Sequence, residues 1–261
     1  VCGFGMGVEG AAIATIIAQA VSAALVMGKL LMTREIYRVR LGEICFDRKM
    51  IRRIVDIGLP AAIQQSITSF SNVIVQSYIN YFGTAAMAGY SATLRVDGFL
   101  QLPLQSFNMT ITTFVGQNIG AKEYKRVKKG IFTSWLMCSG IILVGSVIMF
   151  LKAPSIIGIF TEDAAVISVG SSMIRIFGSA YLFLPIIQIL NGALRGAGRS
   201  KVPMYFMLGC FVLLRQIYLM IAVPMTKNVS VVFAGWPVTW VVCAIGMLVY
   251  YFKVDWLPKE E

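Results

Sequence analysis

Long apolar segments separated by short charged clusters dominate this sequence and restrict the folds open to it. Seven mainly apolar segments cover residues 10–31, 54–82, 85–115, 130–151, 164–193, 202–223 and 231–252. An α-helix of about 20 apolar residues is long enough to cross a bilayer. Only 13% of the 261 residues are charged, whereas soluble domains carry about a quarter. The pattern predicts an all-α membrane protein with about seven transmembrane helices.

The basic residues between these segments alternate between the two sides of the predicted membrane. The loops on one side, together with the C-terminal tail, hold eighteen Lys and Arg residues, and the loops on the other side hold two. By the positive-inside rule the basic side faces the cytoplasm. We therefore expect a multi-pass protein of the plasma (inner) membrane with a cytoplasmic C-terminus. Because the basic residues follow this topology and form no single basic face, no nucleic-acid partner is expected.

The long basic segment 33–53 separates one predicted helix from a set of six. We interpret 1–32 as the last helix of a truncated N-lobe and 33–53 as a cytoplasmic linker between lobes. Residues 54–252 are then a six-helix C-lobe and 253–261 a cytoplasmic tail. Six helices are half of a twelve-helix transporter built from two similar lobes. The chain opens on Val1, in the middle of a pattern, and is expected to be a fragment.

Reactive residue types are scarce. The sequence contains no His, and its five Cys residues form no CxxC pair. A zinc site and His-based acid–base catalysis are therefore unsupported, and neither an enzyme activity nor a cofactor is expected. The predicted partners are the lipid bilayer and a small organic substrate, and the full-length protein is expected to be a monomer.

Four short motifs resemble those of the multidrug and toxic compound extrusion (MATE) family. The sequence FVGQNIGA at 114–121 is similar to the family's GQN-x-GA loop, and IGLPA at 57–61 resembles its GLP entry to the seventh helix. LRGAGRSK at 194–201 resembles its RGxG turn, and GVEGAAIAT at 7–15 resembles the start of its sixth helix. The motifs occur in the family's order, so the resemblance implies that this chain holds helices six to twelve of a MATE-like bundle.

The resemblance implies a secondary active transporter. Such a protein exports xenobiotic and other organic compounds by alternating access, in exchange for H⁺ or Na⁺, which is transported and not held as a cofactor. The alternative is a lipid-linked oligosaccharide flippase of a related fold, and a further one is a non-transporting membrane scaffold.

One branch of the family carries an acidic pair in helices seven and ten, but here Thr68 stands eight residues after Pro60 and segment 164–193 has no acidic residue. By resemblance to the other branch, ion coupling would reside on a carboxylate outside this chain.

Charged residues within the predicted spans are candidates for transport and ion coupling. A charge near the bilayer centre costs about 2.5–3.5 kcal/mol on insertion scales. Asp97, Arg175 and Arg215 lie at similar depths, counted at about 1.5 Å per residue, and we predict that Asp97 pairs with Arg215 or Arg175. Arg95 is expected to point away from Asp97 toward the interface. Two roles remain open for Asp97, which are packing through an ion pair and reversible binding of H⁺ or Na⁺.

Uncharged polar residues recur every three or four positions on three predicted helices, which puts them on one face of each helix. We predict that these stripes line a wet cavity, and the alternative is hydrogen bonding between helices. The cavity-lining candidates are Gln65, Thr68, Asn72, Gln76, Gln101, Gln105, Asn108, Gln188 and Asn191.

Prolines and glycines provide the hinge or gate candidates. Pro60 is expected at a helix entry, where it costs little, and Pro103 and Pro185 are expected to kink helix interiors. The glycines of the 114–121 and 194–201 motifs are expected in tight cytoplasmic turns with positive φ, with Asn118 capping the next helix. The candidates are Pro60, Pro103, Pro185, Gly116, Gln117, Asn118 and Gly120.

Overall fold

The computed structural model describes residues 7–35, 38–43 and 45–257, and all regular structure within these ranges is helical. The chain divides into two compact units, Val1–Ile51 and Arg52–Glu261. The first unit contains helix α1 (Gly7–Met32) and a 3₁₀ turn (Leu41–Glu43). Cys2 and the tail residue Lys259 lie outside the described residues.

The second unit is a bundle of α-helices, the first of which starts at the end of the first unit. The helices are α2 (Arg48–Asn80), α3 (Thr84–Gly120), α4 (Tyr124–Leu151), α5 (Ala153–Gly158), α6 (Ala164–Gly178), α7 (Phe183–Gly196), α8 (Lys201–Leu208), a π-helical segment (Gly209–Leu214), α9 (Arg215–Thr226) and α10 (Val229–Lys253). Every predicted apolar segment coincides with α1, with one of these helices or with a run of consecutive ones. The prediction of an all-α membrane bundle is confirmed.

Within the described ranges, length and apolar composition identify four helices that can each cross a membrane, or five if one bent pair counts as a single span. The four are α1, α4, the continuous run from α8 to α9, and α10, and the bent pair is α6 with α7. At about 1.5 Å per residue, α2 and α3 are also long enough, with 33 and 37 residues. Helices α2 and α3 are less apolar than the other four, because they carry most of the predicted polar stripe residues.

Helix α3 lies at the centre of the second unit and contacts α4, α6 and α7. Glycines allow these helices to approach closely. A Cβ atom on Gly192 of α7 would lie 2.5 Å from the carbonyl oxygen of Asn108, and one on Gly196 would lie 2.4 Å from that of Thr112. Near the N-terminal end of α3, Gly89 faces the backbone of Gly170 in α6. Small residues spaced four apart are a common way for membrane helices to pack tightly.

The predicted span 164–193 is broken, and its two halves meet at an angle of 59°. The break covers residues 179–182, between α6 and α7. Pro185 explains its position, because proline has no N–H for the carbonyl of Tyr181, four residues earlier, and its ring crowds that carbonyl. The bend predicted for Pro185 is therefore present just before it. Pro103, in contrast, lies inside α3, which is assigned as one continuous helix.

Two hinge predictions are corrected by the helix boundaries. Pro60 does not mark a helix entry, because α2 begins at Arg48 and Pro60 lies well inside it. The motif at 114–121 is not a loop, because α3 continues through Gly116, Gln117 and Asn118 to Gly120. The amide of Asn118 donates to the carbonyl oxygen of Phe114 within α3, so it does not cap α4. Of the turn glycines, Gly198 does have a positive φ, of 76°.

Candidate functional site

Asp97 lies half-buried in the middle of α3, where two neutral donors contact its carboxylate. The hydroxyl of Tyr181 donates to Oδ1 at 2.7 Å, and the amide of Gln101 donates to Oδ2 at 3.1 Å. Gln101 is one helical turn from Asp97 on the same face. Tyr181 is fully buried and comes from the break between α6 and α7. The bend in the broken span therefore positions a donor for the carboxylate at depth.

Arg215 begins α9 directly after the π-helical segment and is only 3% exposed. Its guanidinium donates from Nη1 to Oδ1 of Asn72 at 3.3 Å and from Nη2 to Oγ1 of Thr239 at 3.1 Å. The same group lies 5.3 Å from the ring centroid of Phe211 and 5.0 Å from that of Trp236. Cation–π contacts offset part of the cost of burying a charge. A π-helical turn inside an α-helix often accompanies a functional position.

The predicted ion pair of Asp97 with Arg215 or Arg175 is wrong. Both polar contacts of the Arg215 guanidinium are with neutral side chains, and Arg175 is exposed near the end of α6. The reason is an aromatic cluster between the two charges. Its members are buried and in contact ring to ring, from Tyr181 beside Asp97 to Trp236 beside Arg215. The aromatic cluster consists of Tyr90, Phe177, Tyr181, Trp236 and Trp240.

The predicted stripes of α3 and α7 meet at one point. The amide of Asn108 donates to the backbone oxygen of Gln188 at 2.7 Å and to its side-chain Oε1 at 3.3 Å. Gln105 is exposed. Asn191 is buried, its amide faces the sulfur of Met207 at 3.1 Å, and its Oδ1 has no partner among the described residues. At Asn108 and Gln188, the structure therefore shows hydrogen bonding between helices.

The predicted stripe of α2 runs beside the face that α2 buries in this unit. Gln65 and Asn72 are exposed, and Thr68 and Gln76 are half-buried. Thr68 donates to the carbonyl of Gln64, and Gln76 donates to Asn80, so both contacts stay within the helix. Asn72 is the stripe member that contacts a neighbouring helix, through Arg215.

Sequence reasoning missed the buried polar face of α2. Gln64 is 5% exposed and accepts a hydrogen bond from Nη2 of Arg195 at 2.8 Å, while Ser71 is fully buried. The hydroxyl of Ser71 donates to the carbonyl of Phe211 in the π-helical segment and accepts from the amide of Gln216. The sequence did contain a signal for this face, because its residues are spaced by about one or two helical turns and such positions share a face. The residues are Pro60, Gln64, Ser71, Val75 and Ile79. We call the contacts of Gln64, Ser71 and Asn72 the α2 polar contacts.

Comparison with known proteins gives one family. The MatE family model matches residues 60–221. The probable multidrug resistance protein NorM of Thermotoga maritima is 30% identical over 199 residues, which cover 76% of this chain and 43% of that protein. The multidrug export protein MepA of Staphylococcus aureus is 22% identical over 200 residues, covering 76% of this chain and 44% of that protein. The chain thus spans less than half the length of these relatives.

Solved structures show the same fold. A crystal structure described as MATE in the straight conformation superposes with a TM-score of 0.86 at 19% identity, covering 94% of this chain and 56% of that one. An outward-facing multidrug resistance MATE family transporter also gives 0.86 at 19% identity, covering 97% and 57%. With the family model matching more than half of its residues, this membrane-spanning chain belongs to the MatE family of transporters.

Proposed function

We propose that the complete protein exports small organic compounds across the cell membrane by alternating access, in exchange for H⁺ or Na⁺. The observation that carries the coupling is the environment of Asp97. Its carboxylate is half-buried in α3 and is held by the neutral donors Tyr181 and Gln101. A carboxylate at membrane depth that is held by neutral donors can take up H⁺ or Na⁺ without first breaking an ion pair.

The α2 polar contacts support a moving helix in this transporter. They join α2 to the π-helical segment, to α9 and to α7 through hydrogen bonds of Ser71, Asn72 and Gln64. Polar groups that separate from each other can be hydrated by a water-filled pathway, whereas separated apolar faces cannot. A broken span next to the carboxylate gives a second place where the bundle can bend. These two features suit alternating access.

Arg215 favours substrates that are neutral or carry an anionic group. Its guanidinium is buried and meets only neutral partners in the described part of the chain. A permanently cationic compound next to this group would meet like charge in a medium of low dielectric constant. We expect such compounds to be poor substrates for this lobe.

Transport by the complete protein in vesicles tests the proposal. A pH gradient and a Na⁺ gradient are imposed separately, and export of anionic, neutral and cationic fluorescent compounds is followed. The Asp97→Asn variant should lose gradient-driven export by about 10-fold or more, since the neutral amide cannot bind the ion. Asp56→Asn, at an exposed carboxylate near the start of α2, is the matched control and should behave as the parent protein.

Several outcomes would contradict the proposal. If gradient-driven export is unchanged in Asp97→Asn, the coupling ion binds at another carboxylate. A preference for permanently cationic compounds would contradict the role given to Arg215. Translocation of a lipid-linked oligosaccharide without gradient-driven export would favour the flippase alternative.

A further inference from the structure

Two adjoining cavities lie outside the site described above, at the end of the second unit where α10 ends. The first is a groove of about 390 Å³ between α4, α7 and α10, with almost entirely apolar walls that include Trp135, Ile189 and Leu248. The second is a smaller cavity of about 290 Å³ between the start of α4 and the segment after α10. Tyr251 and Phe252 line both, so the two cavities adjoin at these side chains.

The segment after α10 forms one wall of the smaller cavity and is fixed in place. Trp256 is only 4% exposed, and its ring lies 5.4 Å from that of Tyr251. Arg199, in the turn between α7 and α8, donates to the backbone oxygen of Asp255 at 3.2 Å. Aromatic residues at the end of a spanning helix mark the level of the lipid headgroups. The smaller cavity therefore lies at headgroup level, and the apolar groove extends from its edge toward the membrane interior between α4, α7 and α10.

Opposite charges line the smaller cavity. Lys128, from the first turns of α4, and Asp255 are both exposed, and both contribute to its walls. Neither side chain makes an ion pair within the ranges that the structure describes, so each is available to a ligand. An apolar groove that adjoins a cavity lined by one cation and one anion is complementary to an amphiphile with a zwitterionic headgroup.

We propose that α4, α7, α10 and the segment 254–257 form a specific site for one zwitterionic aminophospholipid. The phosphate contacts the ammonium group of Lys128, the primary ammonium of the lipid donates to Asp255, and one acyl chain lies in the apolar groove. Charge-assisted hydrogen bonds of this kind give the headgroup selectivity. A choline headgroup has no N–H to donate, and a glycerol headgroup has no cation, so neither offers Asp255 a charged N–H donor.

Lipid retention by the purified, complete protein tests this site. The protein is delipidated in detergent and incubated with phosphatidylethanolamine, phosphatidylcholine or phosphatidylglycerol with the same acyl chains, and bound lipid is counted by native mass spectrometry. We expect retention of phosphatidylethanolamine to exceed that of the other two by about tenfold, the effect of one such hydrogen bond. Asp255→Asn should remove the preference for ethanolamine over choline, and Lys128→Gln should weaken retention of both.

Two exposed charges away from the cavity serve as matched controls. Glu162→Gln removes one negative charge and Lys152→Gln removes one positive charge, as the two cavity variants do. Glu162 precedes the start of α6 and Lys152 follows the end of α4, whereas the cavity lies at the start of α4. Both changes should leave lipid selectivity unaltered. Two results would overturn the proposal, because each would show only ordinary contact with bulk lipid. One is equal retention of the three lipids, and the other is unchanged lipid selectivity in both Asp255→Asn and Lys128→Gln. Preferential retention of phosphatidylglycerol would also overturn it, in favour of attraction by the basic loops. No substrate or ion gradient enters this measurement, so its result does not depend on the transport function.

Discussion

At the scale of single residues, the environment of Asp97 depends on a side chain 84 positions away. Tyr181 is fully buried and gives the carboxylate its shortest hydrogen bond, at 2.7 Å. A hydrogen bond to a charged group in a poorly hydrated site contributes more than one between neutral groups. Tyr181 also touches Phe177 and Trp240 in the aromatic cluster, so its hydroxyl has little freedom to move away.

Replacing Tyr181 with Phe should remove this bond while keeping the ring contacts. We expect the free energy of unfolding to fall by about 1.5–3 kcal/mol, because a half-buried carboxylate loses a donor. Thermal unfolding of the purified protein in detergent measures the change. Tyr205→Phe is the matched control, since the side chain of Tyr205 is 65% exposed. Equal melting temperatures for the two variants would show that the bond to Asp97 contributes nothing to stability.

At the scale of helices, the packing of α7 on α3 depends on Gly192 and Gly196. These residues stand four positions apart in α7, and any side chain at either would enter the backbone of α3. The same contact brings Asn108 to Gln188, one turn before Gly192. The helix that carries Asp97 and the second half of the broken span are therefore held together by glycine packing and one polar contact.

Gly192→Ala should destabilise the bundle even though alanine favours helices. The new Cβ would lie 2.5 Å from a backbone oxygen and from the side chain of Ile111, so the two helices must separate. Overpacking of this kind costs about 1–3 kcal/mol, which melting curves will show. Gly140→Ala, in α4, places its new Cβ where no other atom lies within 4 Å, and should instead be neutral or stabilising by up to about 1 kcal/mol. The same response to both changes would contradict close packing at Gly192.

At the scale of the whole molecule, the basic loops predict which side each end of a helix faces. The turn between α3 and α4 and the start of α4 carry five Lys and Arg residues, whereas the turn between α9 and α10 carries Lys227 alone. The positive-inside rule puts the first turn in the cytoplasm and Lys227 outside. The C-terminus is then predicted to be cytoplasmic.

Cysteine labelling of intact cells measures this topology. In a cysteine-free background of the complete protein, Lys227→Cys should react with a membrane-impermeant maleimide added outside. Lys125→Cys should react only after the cells are permeabilised, and both positions are exposed. The reverse pattern would show that the predicted orientation is inverted.

The membrane fold could be predicted from the sequence because its determinants are local. Apolar length, basic loops and the motif around Gln117 each act within one segment, and the helices match the predicted segments. The break before Pro185 was also within reach, since the effect of proline on the preceding turn is a local rule. The start of α2 at Arg48 could not be predicted, because charged residues at a membrane surface are compatible with either a helix or a loop.

The partners of the charged residues were decided by tertiary structure alone. Depth along a helix suggested that Asp97 and Arg215 would meet, but depth does not specify rotation or what lies between two helices. The bend between α6 and α7 brings Tyr181 to Asp97, and the π-helical segment turns Arg215 toward Asn72 and Thr239. A bundle of membrane helices follows from the amino-acid composition of each segment, because burial in lipid depends on composition. Which polar groups meet inside it depends on long-range packing of aromatic rings and glycines, which only the folded chain defines.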